Sequence, residues 1–174
     1  MRFLKTAIVL LFAIQLISCK SVSKTIGDPE VYLYKDQAHL MNGTYFTDPY
    51  KTNGGFQLLT EIFDLKETEN VEKVDFIFLD NKHLQINYTD GLRKFSKVIE
   101  GKMKNGAFRY DYKNLPIGIP FFLFAYNLKV HHIALGNDDN IIITEYEYLH
   151  SQNFINGFKE KTVENRYYFD RQLK

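Results

Sequence analysis

The stretch KVDFIFLDNKHLQINYTDGLRKFSKVIE, residues 73–100, decides the fold. Apolar side chains occupy every second position on both sides of a turn at 80–82, and Asp90-Gly91 marks a second turn. The alternating positions are Val74, Phe76, Phe78, Leu84, Ile86, Tyr88, Phe95 and Ile99. A period of two is typical of strands with one buried face, and Asp-Gly is a preferred hairpin dipeptide. The stretch therefore predicts three consecutive antiparallel strands.

The same period extends from this stretch in both directions. Asn105-Gly106 is another turn dipeptide, and aromatic side chains alternate directly after it. Eight strands are predicted, near 42–47, 72–80, 83–89, 93–103, 107–113, 122–135, 141–150 and 162–171. Because most of the connections are short or moderate, the pattern favours an antiparallel up-and-down sheet.

Eight strands with one apolar face each are predicted to close into a small barrel, which removes exposed sheet edges. A two-sheet sandwich is the alternative, and it would need crossover loops that the tight turns do not suggest. One helix is predicted between the first two strands, at 56–65. There Phe56, Leu59, Ile62 and Phe63 share a helical face. The alternative is a strand, but consecutive apolar pairs fit alternation badly.

The N-terminal segment, residues 1–18, has the composition of a secretory signal. Arg2 and Lys5 precede an almost unbroken apolar run from Ala7 to Ile17, eleven residues against the ~20 that a spanning helix needs. The run closes on Leu16-Ile17-Ser18-Cys19, which resembles the lipobox of bacterial lipoproteins. The alternatives are a plain signal peptide that ends near a cysteine, or an uncleaved anchor.

The lipobox resemblance implies that Cys19 is lipidated and that the chain is cut before it. Several acyl chains anchor a protein stably, whereas one holds it only marginally. Residues 19–30 are then a polar tether, and residues 31–174 a β domain. The membrane is the implied partner of the lipid. Lys20 stands where an aspartate favours inner-membrane retention, so the resemblance favours the outer membrane.

Composition excludes several classes of function. Removal of residues 1–18 takes two of the 22 basic residues, which leaves 20 against 21 acidic ones, and nucleic acid is therefore not a predicted partner. Cys19 is the only cysteine, so the β domain has neither a disulfide nor a thiol nucleophile. The 15 Phe and 12 Tyr of the full sequence favour strands.

The strand pattern resembles the calycin superfamily of lipocalins and fatty-acid-binding proteins. Gly43-Thr44-Tyr45 stands where lipocalins open their first strand with Gly-x-Trp. The resemblance implies that a basic residue of the last strand packs across that ring and closes the barrel, and Arg171 matches by position. A helix between strands one and two is similar to the fatty-acid-binding proteins.

A calycin barrel also implies a cavity for a small apolar or amphipathic ligand. The candidate lining residues are Phe76, Phe78, Tyr88, Phe108, Tyr110, Tyr112, Tyr126, Tyr146, Tyr148 and Tyr167. Buried tyrosine hydroxyls seek hydrogen-bond partners, which suits an amphipathic ligand. The alternative is that large aromatic side chains fill the barrel.

No catalytic, metal or cofactor site is predicted. The sequence lacks Gly-x-Ser-x-Gly, His-Glu-x-x-His and Walker patterns. His131 and His132 are adjacent on a strand and point to opposite faces, so they do not share a metal easily. Glu145 and Glu147 are on one face, but exposed strand faces carry such pairs routinely. The basic residues of strand 93–104 are ordinarily a solvated face, with contact to anionic lipid headgroups as the alternative.

The sequence leaves two non-enzymatic roles open for a lipid-anchored envelope protein. One is a binding module for a small apolar or amphipathic ligand. The other is a structural or interaction subunit that contacts an envelope protein, with a bare aromatic patch on loops 115–124 or 151–160. A hollow core favours the first role and a filled core the second.

Overall fold

The computed structural model describes residues 29–113, 117–119, 123–153 and 157–172. The predicted signal segment 1–18 and residues 19–28 of the predicted tether lie outside the described part of the chain. The described part is mainly β and all its strand pairs are antiparallel, as the sequence predicts. No helix in it is long and apolar enough to cross a membrane.

The described residues form eleven strands and two short helices. The strands are β1 (Gly43–Phe46), β2 (Lys51–Thr52), β3 (Lys73–Phe78), β4 (His83–Asp90), β5 (Arg93–Glu100), β6 (Lys102–Lys104), β7 (Ala107–Lys113), β8 (Ile117–Ile119), β9 (Leu123–Leu135), β10 (Ile141–Asn153) and β11 (Gly157–Phe169). A 3-10 helix spans Lys35–Met41, and α1 spans Leu59–Ile62.

The strands form two sheets. The first has the order β1-β3-β4-β5, and the second has the order β2-β11-β10-β9-β7-β6 with β8 paired to β9. In the stretch 73–100, Val74 pairs with Tyr88 and Leu84 with Ile99, so the alternating apolar side chains share one face. Gly91 has a φ of +60° in the turn between β4 and β5, a backbone conformation that glycine adopts without strain. The predicted hairpins are therefore present.

The predicted strand 93–103 is divided at Gly101, and its two parts belong to different sheets. A Cβ atom at Gly101 would lie 2.5 Å from the Arg109 carbonyl oxygen and 2.6 Å from the Phe108 ring. The chain can thus approach β7 closely as it passes from the first sheet to the second. The count also rises above eight because β2 and β8 are short strands that the alternation did not reveal.

The predicted helix at 56–65 is shorter than expected. Only Leu59–Ile62 is helical, because Asp64 follows with a φ of +46° and turns the chain away. Lys97 of β5 donates to the carbonyl oxygens of Phe63 and Asp64, at 2.8 and 2.9 Å. Leu59, Ile62 and Phe63 are buried as predicted, whereas Phe56 is exposed.

The two sheets also meet at their edges. At one junction the Gly101 and Met103 amides donate to the Lys82 and Asn81 carbonyls, at 2.8 and 3.0 Å. At the other junction β1 meets the chain that follows β11. There Phe46 N donates to Asp170 O at 3.1 Å, and Gln172 N donates to Thr44 O at 2.8 Å.

The second junction carries the Gly43, Tyr45 and Arg171 set. Arg171 Nε and Nη2 donate to Tyr45 Oη at 3.1 and 2.8 Å, and the guanidinium carbon lies 5.4 Å from the Tyr45 ring centroid. A Cβ atom at Gly43 would lie 2.9 Å from Arg171 Nε, so the glycine makes room for the guanidinium. Arg171 also binds Asp139 and the Leu40 carbonyl.

The apolar core lies between the two sheets. Phe78 of the first sheet packs edge-on against Phe108 of the second at 5.2 Å between ring centroids. The largest side chains in this core are completely buried, and they include Tyr45, Phe76, Phe108, Phe169, Met41, Leu59, Leu84, Ile86, Ile133, Ile141 and Ile143. In the described part of the chain this region is filled by side chains.

The fold has two ends. The tether end consists of residues 29–41 with the turns at 105–106 and 136–140, and it is joined by the bridges of Val31 to Leu135 and of Leu33 to Gly106. The far end consists of residues 54–67, which include α1, and the β4–β5 turn at 90–93.

Candidate functional site

A row of polar side chains crosses the core face of the second sheet. Tyr110 of β7 pairs with His131 of β9, His131 pairs with Glu145 of β10, and Glu145 pairs with Asn165 of β11. Directly paired residues of antiparallel strands project to the same face, so the four side chains form one row. The row lies next to the apolar row of Phe108, which pairs with Ile133.

Glu145 is the centre of this row. Its Oε2 atom lies 3.0 Å from His131 Nε2 and 3.5 Å from Lys129 Nζ, and Asn165 Nδ2 lies 3.5 Å from Oε1. The side chains of Glu145 and His131 are each only 4% exposed, while Lys129 is 30% exposed. Glu145 therefore connects the buried His131 side chain to an ammonium group that water still reaches.

The surroundings hold Glu145 in its charged form. The hydrogen bond from His131 lowers the pKa of Glu145 below its ordinary value against the opposing effect of burial, and Lys129 adds to the lowering. Burial and the Glu145 charge together raise the pKa of Tyr110 well above its ordinary value. At neutral pH the row thus contains a carboxylate beside a neutral phenol. Because a carboxylate only accepts, His131 Nε2 is the donor in their hydrogen bond.

One buried polar atom of the row has no hydrogen-bond partner among the described residues. This atom is His131 Nδ1. Buried polar atoms are nearly always paired, and an unpaired one calls for an explanation in terms of water, an ion or a ligand. A ligand hydroxyl or amide near Nδ1 would satisfy it.

The row is covered from the far end by residues 54–64. Tyr110 stacks on His131 at 4.7 Å and on Phe63 at 5.5 Å, and its hydroxyl donates to the Ile62 carbonyl at 3.1 Å. A Cβ atom at Gly54 would lie 2.5 Å from Asn165 Oδ1, so this glycine allows the covering segment to approach the row. The row consequently lies between this segment and the four strands β7, β9, β10 and β11.

The ten candidate lining residues do not converge on one cavity wall. Six belong to the shared core, namely Phe76, Phe78, Tyr88, Phe108, Tyr110 and Tyr167. Tyr146 and Tyr148 instead form a separate cluster with Val130 on the other face of the second sheet, where His132 lies 5.0 Å from Tyr146. The side chains of Tyr112 and Tyr126 lie outside the described part of the chain.

The placement of Glu145 corrects its interpretation as half of an exposed carboxylate pair. Glu145 is buried and Glu147 is half-buried, because their common face is the core face of β10. His131 and His132 do point to opposite faces, toward Tyr110 and Tyr146 respectively. Among the described residues no group of three His, Cys, Asp or Glu side chains could hold a metal ion.

Comparisons of the chain with protein-family models, curated proteins and solved structures return no match. The site must be interpreted from its own chemistry. A carboxylate, an imidazole with a free nitrogen and a partly exposed ammonium stand beside an apolar core. This arrangement can bind the polar group of a molecule whose remaining part is apolar.

Proposed function

We propose that this chain is a lipid-anchored lipoprotein of the cell envelope whose β domain binds a small amphipathic ligand. The ligand proposal rests on the contacts of His131 and Lys129 with Glu145 beside the apolar core. The anchor rests on the lipobox resemblance of Leu16-Ile17-Ser18-Cys19.

A contribution to the stability of the fold does not by itself explain why these polar side chains lie in the core. Removing a carboxylate from water is costly, and apolar side chains of similar volume often stabilise a core as well as buried charged groups do, or better. Ionisable groups shifted by burial and by charged neighbours are instead common at binding and catalytic sites. The exposed fraction of Lys129 gives an anionic or hydroxyl head group access from solvent.

We further propose that the two sheets are one closed barrel of the calycin kind. The hydrogen bonds of Gly101 and Met103 at one junction, and of Phe46 and Gln172 at the other, support continuity around the sheet. If β5 and β6 count as one strand, eight long segments follow one another in sequence order around this path. The position of α1 between β1 and β3 is similar to the helices of fatty-acid-binding proteins.

The anchor predicts that Cys19→Ala loses its membrane attachment. The unsubstituted chain is expected to incorporate labelled palmitate and to fractionate with membranes, preferentially the outer membrane. The variant is expected to lose the label and the attachment, because no acyl chain is then present. Ser23→Ala is the matched control and should behave like the unsubstituted chain. A Cys19→Ala protein that stays membrane-bound would contradict the anchor.

The ligand site predicts that Lys129→Met weakens the binding of a fluorescent fatty acid such as cis-parinaric acid. One charge-assisted hydrogen bond is worth about 1.5–3 kcal/mol, so the affinity should fall by about tenfold or more. Lys94→Met removes an exposed lysine of β5 and should leave binding unchanged. Displacement of the probe by lipid extracts would be followed by mass spectrometry of the bound species.

The filled region of the core favours a second candidate, an interaction subunit without a ligand. Tyr45, Phe76 and Phe108 occupy space that a wide cavity would need. Phe56 is exposed on the covering segment at the far end and offers an aromatic contact for an envelope protein. The side chains of the suggested loops 115–124 and 151–160 lie outside the described residues. Failure of the unsubstituted protein to bind any hydrophobic probe would favour this second role.

A further inference from the structure

The tether end carries two exposed aromatic rings that do not belong to the apolar core. Tyr32 is 58% exposed and Tyr34 is 66% exposed, and their rings form an edge-to-face pair at 5.6 Å between centroids. Tyr32 packs over the β6–β7 turn, where a Cβ atom at Gly106 would lie 2.8 Å from its ring. Gly106 has a φ of +82°, which glycine adopts without strain, and its lack of a Cβ atom leaves room for the ring.

Basic side chains surround the aromatic pair. The groove beside Tyr32 and Tyr34 is also lined by Lys35, Lys102 and Lys104, with Asp36 as its acidic member. Lys102 and Lys104 flank buried Met103 on β6, and strand alternation directs them outward. The groove thus presents three ammonium groups and one carboxylate around two phenol rings.

The chain enters the fold at the same place. A Cβ atom at Gly106 would lie 2.7 Å from Pro29, and Val31 forms a bridge with Leu135. Pro29 lies ten residue steps after Cys19. At ~3.3–3.6 Å per residue they can span at most ~35 Å, about the size of the domain itself. A lipid on Cys19 therefore keeps this end of the domain within reach of the bilayer.

We propose that the surface formed by Tyr32, Tyr34, Lys35, Lys102 and Lys104 contacts the headgroup region of an anionic lipid bilayer. This inference rests on the proposed lipid anchor at Cys19. Tyrosine is favoured at membrane interfaces because its ring is apolar while its hydroxyl remains hydrated. Ammonium groups near an anionic surface add electrostatic attraction. The far end, with the covering segment 54–64, then points away from the membrane.

Fluorescence can test this orientation because the chain has no tryptophan. Full-length Tyr34→Trp protein, processed in bacteria, would be reconstituted into vesicles of phosphatidylethanolamine and phosphatidylglycerol with brominated acyl chains. Its emission is expected to shift to the blue and to fall about twofold relative to non-brominated vesicles, as for an interfacial tryptophan. Leu92→Trp is the matched control, since Leu92 is fully exposed at the far end. Its emission should not change.

Flotation of the vesicles separates failure of the orientation from failure of the anchor. Protein that floats while Tyr34→Trp is quenched no more than Leu92→Trp would overturn the orientation and leave the anchor standing. An unsubstituted chain that does not float would overturn both proposals.

A charge-reversal pair tests the headgroup contact separately. Lys102→Glu with Lys104→Glu, added to Tyr34→Trp, should reduce the quenching in anionic vesicles. Lys66→Glu with Lys94→Glu makes the same change in charge away from this surface and should have no effect. Equal quenching in both double variants would overturn the electrostatic contact.

Discussion

Arg171→Met is expected to lower the free energy of unfolding by about 2–3 kcal/mol, because a hydrogen bond from a charged donor contributes about 1.5–3 kcal/mol and the buried Tyr45 oxygen loses such a donor. The guanidinium binds Tyr45 Oη, both carboxylate oxygens of Asp139 and the Leu40 carbonyl at 2.6–3.1 Å. Its side chain is only 17% exposed. The measurement is urea unfolding of the variant and the unsubstituted protein at neutral pH.

Tyr45 explains why the loss is expected to be large. Burial raises the pKa of Tyr45 to about 12, so its phenol is neutral. Its hydroxyl donates to the Met41 carbonyl at 2.8 Å and accepts from Arg171, which connects the 3-10 helix to the end of the chain. Removal of the guanidinium leaves this buried oxygen and the Leu40 carbonyl with fewer donors.

Arg93→Met is the matched control for this prediction. Arg93 forms a single ion pair with Glu67 at 2.6 Å, but both side chains are largely exposed. Exposed pairs contribute about 0–1 kcal/mol, so the control should change stability little. Equal losses in the two variants would show that Arg171 is not a special contact between the sheets and would weaken the barrel proposal.

The sequence predicts best those features that local patterns determine. Alternation over 73–100 and the turn dipeptides define β3, β4 and β5 without any knowledge of the rest of the chain. The division at Gly101 could not be predicted, because it depends on how closely this residue approaches β7. The helix α1 is shorter than predicted for a similar reason, since Lys97 from a distant strand binds the carbonyl groups at its end.

The polar row could have been found from register alone. The turn at 136–140 pairs Leu135 with Ile141, and counting back along both strands places His131 opposite Glu145. It is harder to predict from the sequence which face of β9 and β10 points into the core. Both faces of β9 and β10 are apolar near the turn, so alternation does not distinguish the face of Ile133 and Ile143 from the face of His132 and Tyr146. The choice of tyrosines as core residues therefore included Tyr146 and Tyr148, which lie on the other face.

The burial of His132 predicts a second large effect, namely a loss of stability in weak acid. Burial lowers the pKa of His132 from 6.5 to about 4, with a smaller contribution from the Arg109 charge. The residue is buried beside Tyr146, and neither ring nitrogen has a hydrogen-bond partner within the described residues. A proton on this ring would thus be poorly solvated in the folded protein.

The sign of the effect follows from proton linkage. Between pH 6.5 and about 4 the imidazole of the unfolded chain binds a proton, while the folded one remains neutral. The unfolded state therefore binds more protons, and the free energy of unfolding falls as the pH is lowered through this window. The full loss is about 3 kcal/mol at 1.36 kcal/mol per pKa unit. Above pH 6.5 the contribution of His132 should be constant.

Two variants without a titrating ring test this assignment. His132→Gln and His132→Phe should both lack the loss between pH 6.5 and 4 that the unsubstituted protein shows in urea unfolding. His39→Gln removes an exposed histidine of the 3-10 helix and should keep the full pH dependence. If both His132 variants lose stability in acid as steeply as the unsubstituted protein, another group is responsible. The ionised Glu145 is distinguishable from His132, because its stabilising effect is lost only as the pH falls through its lowered pKa.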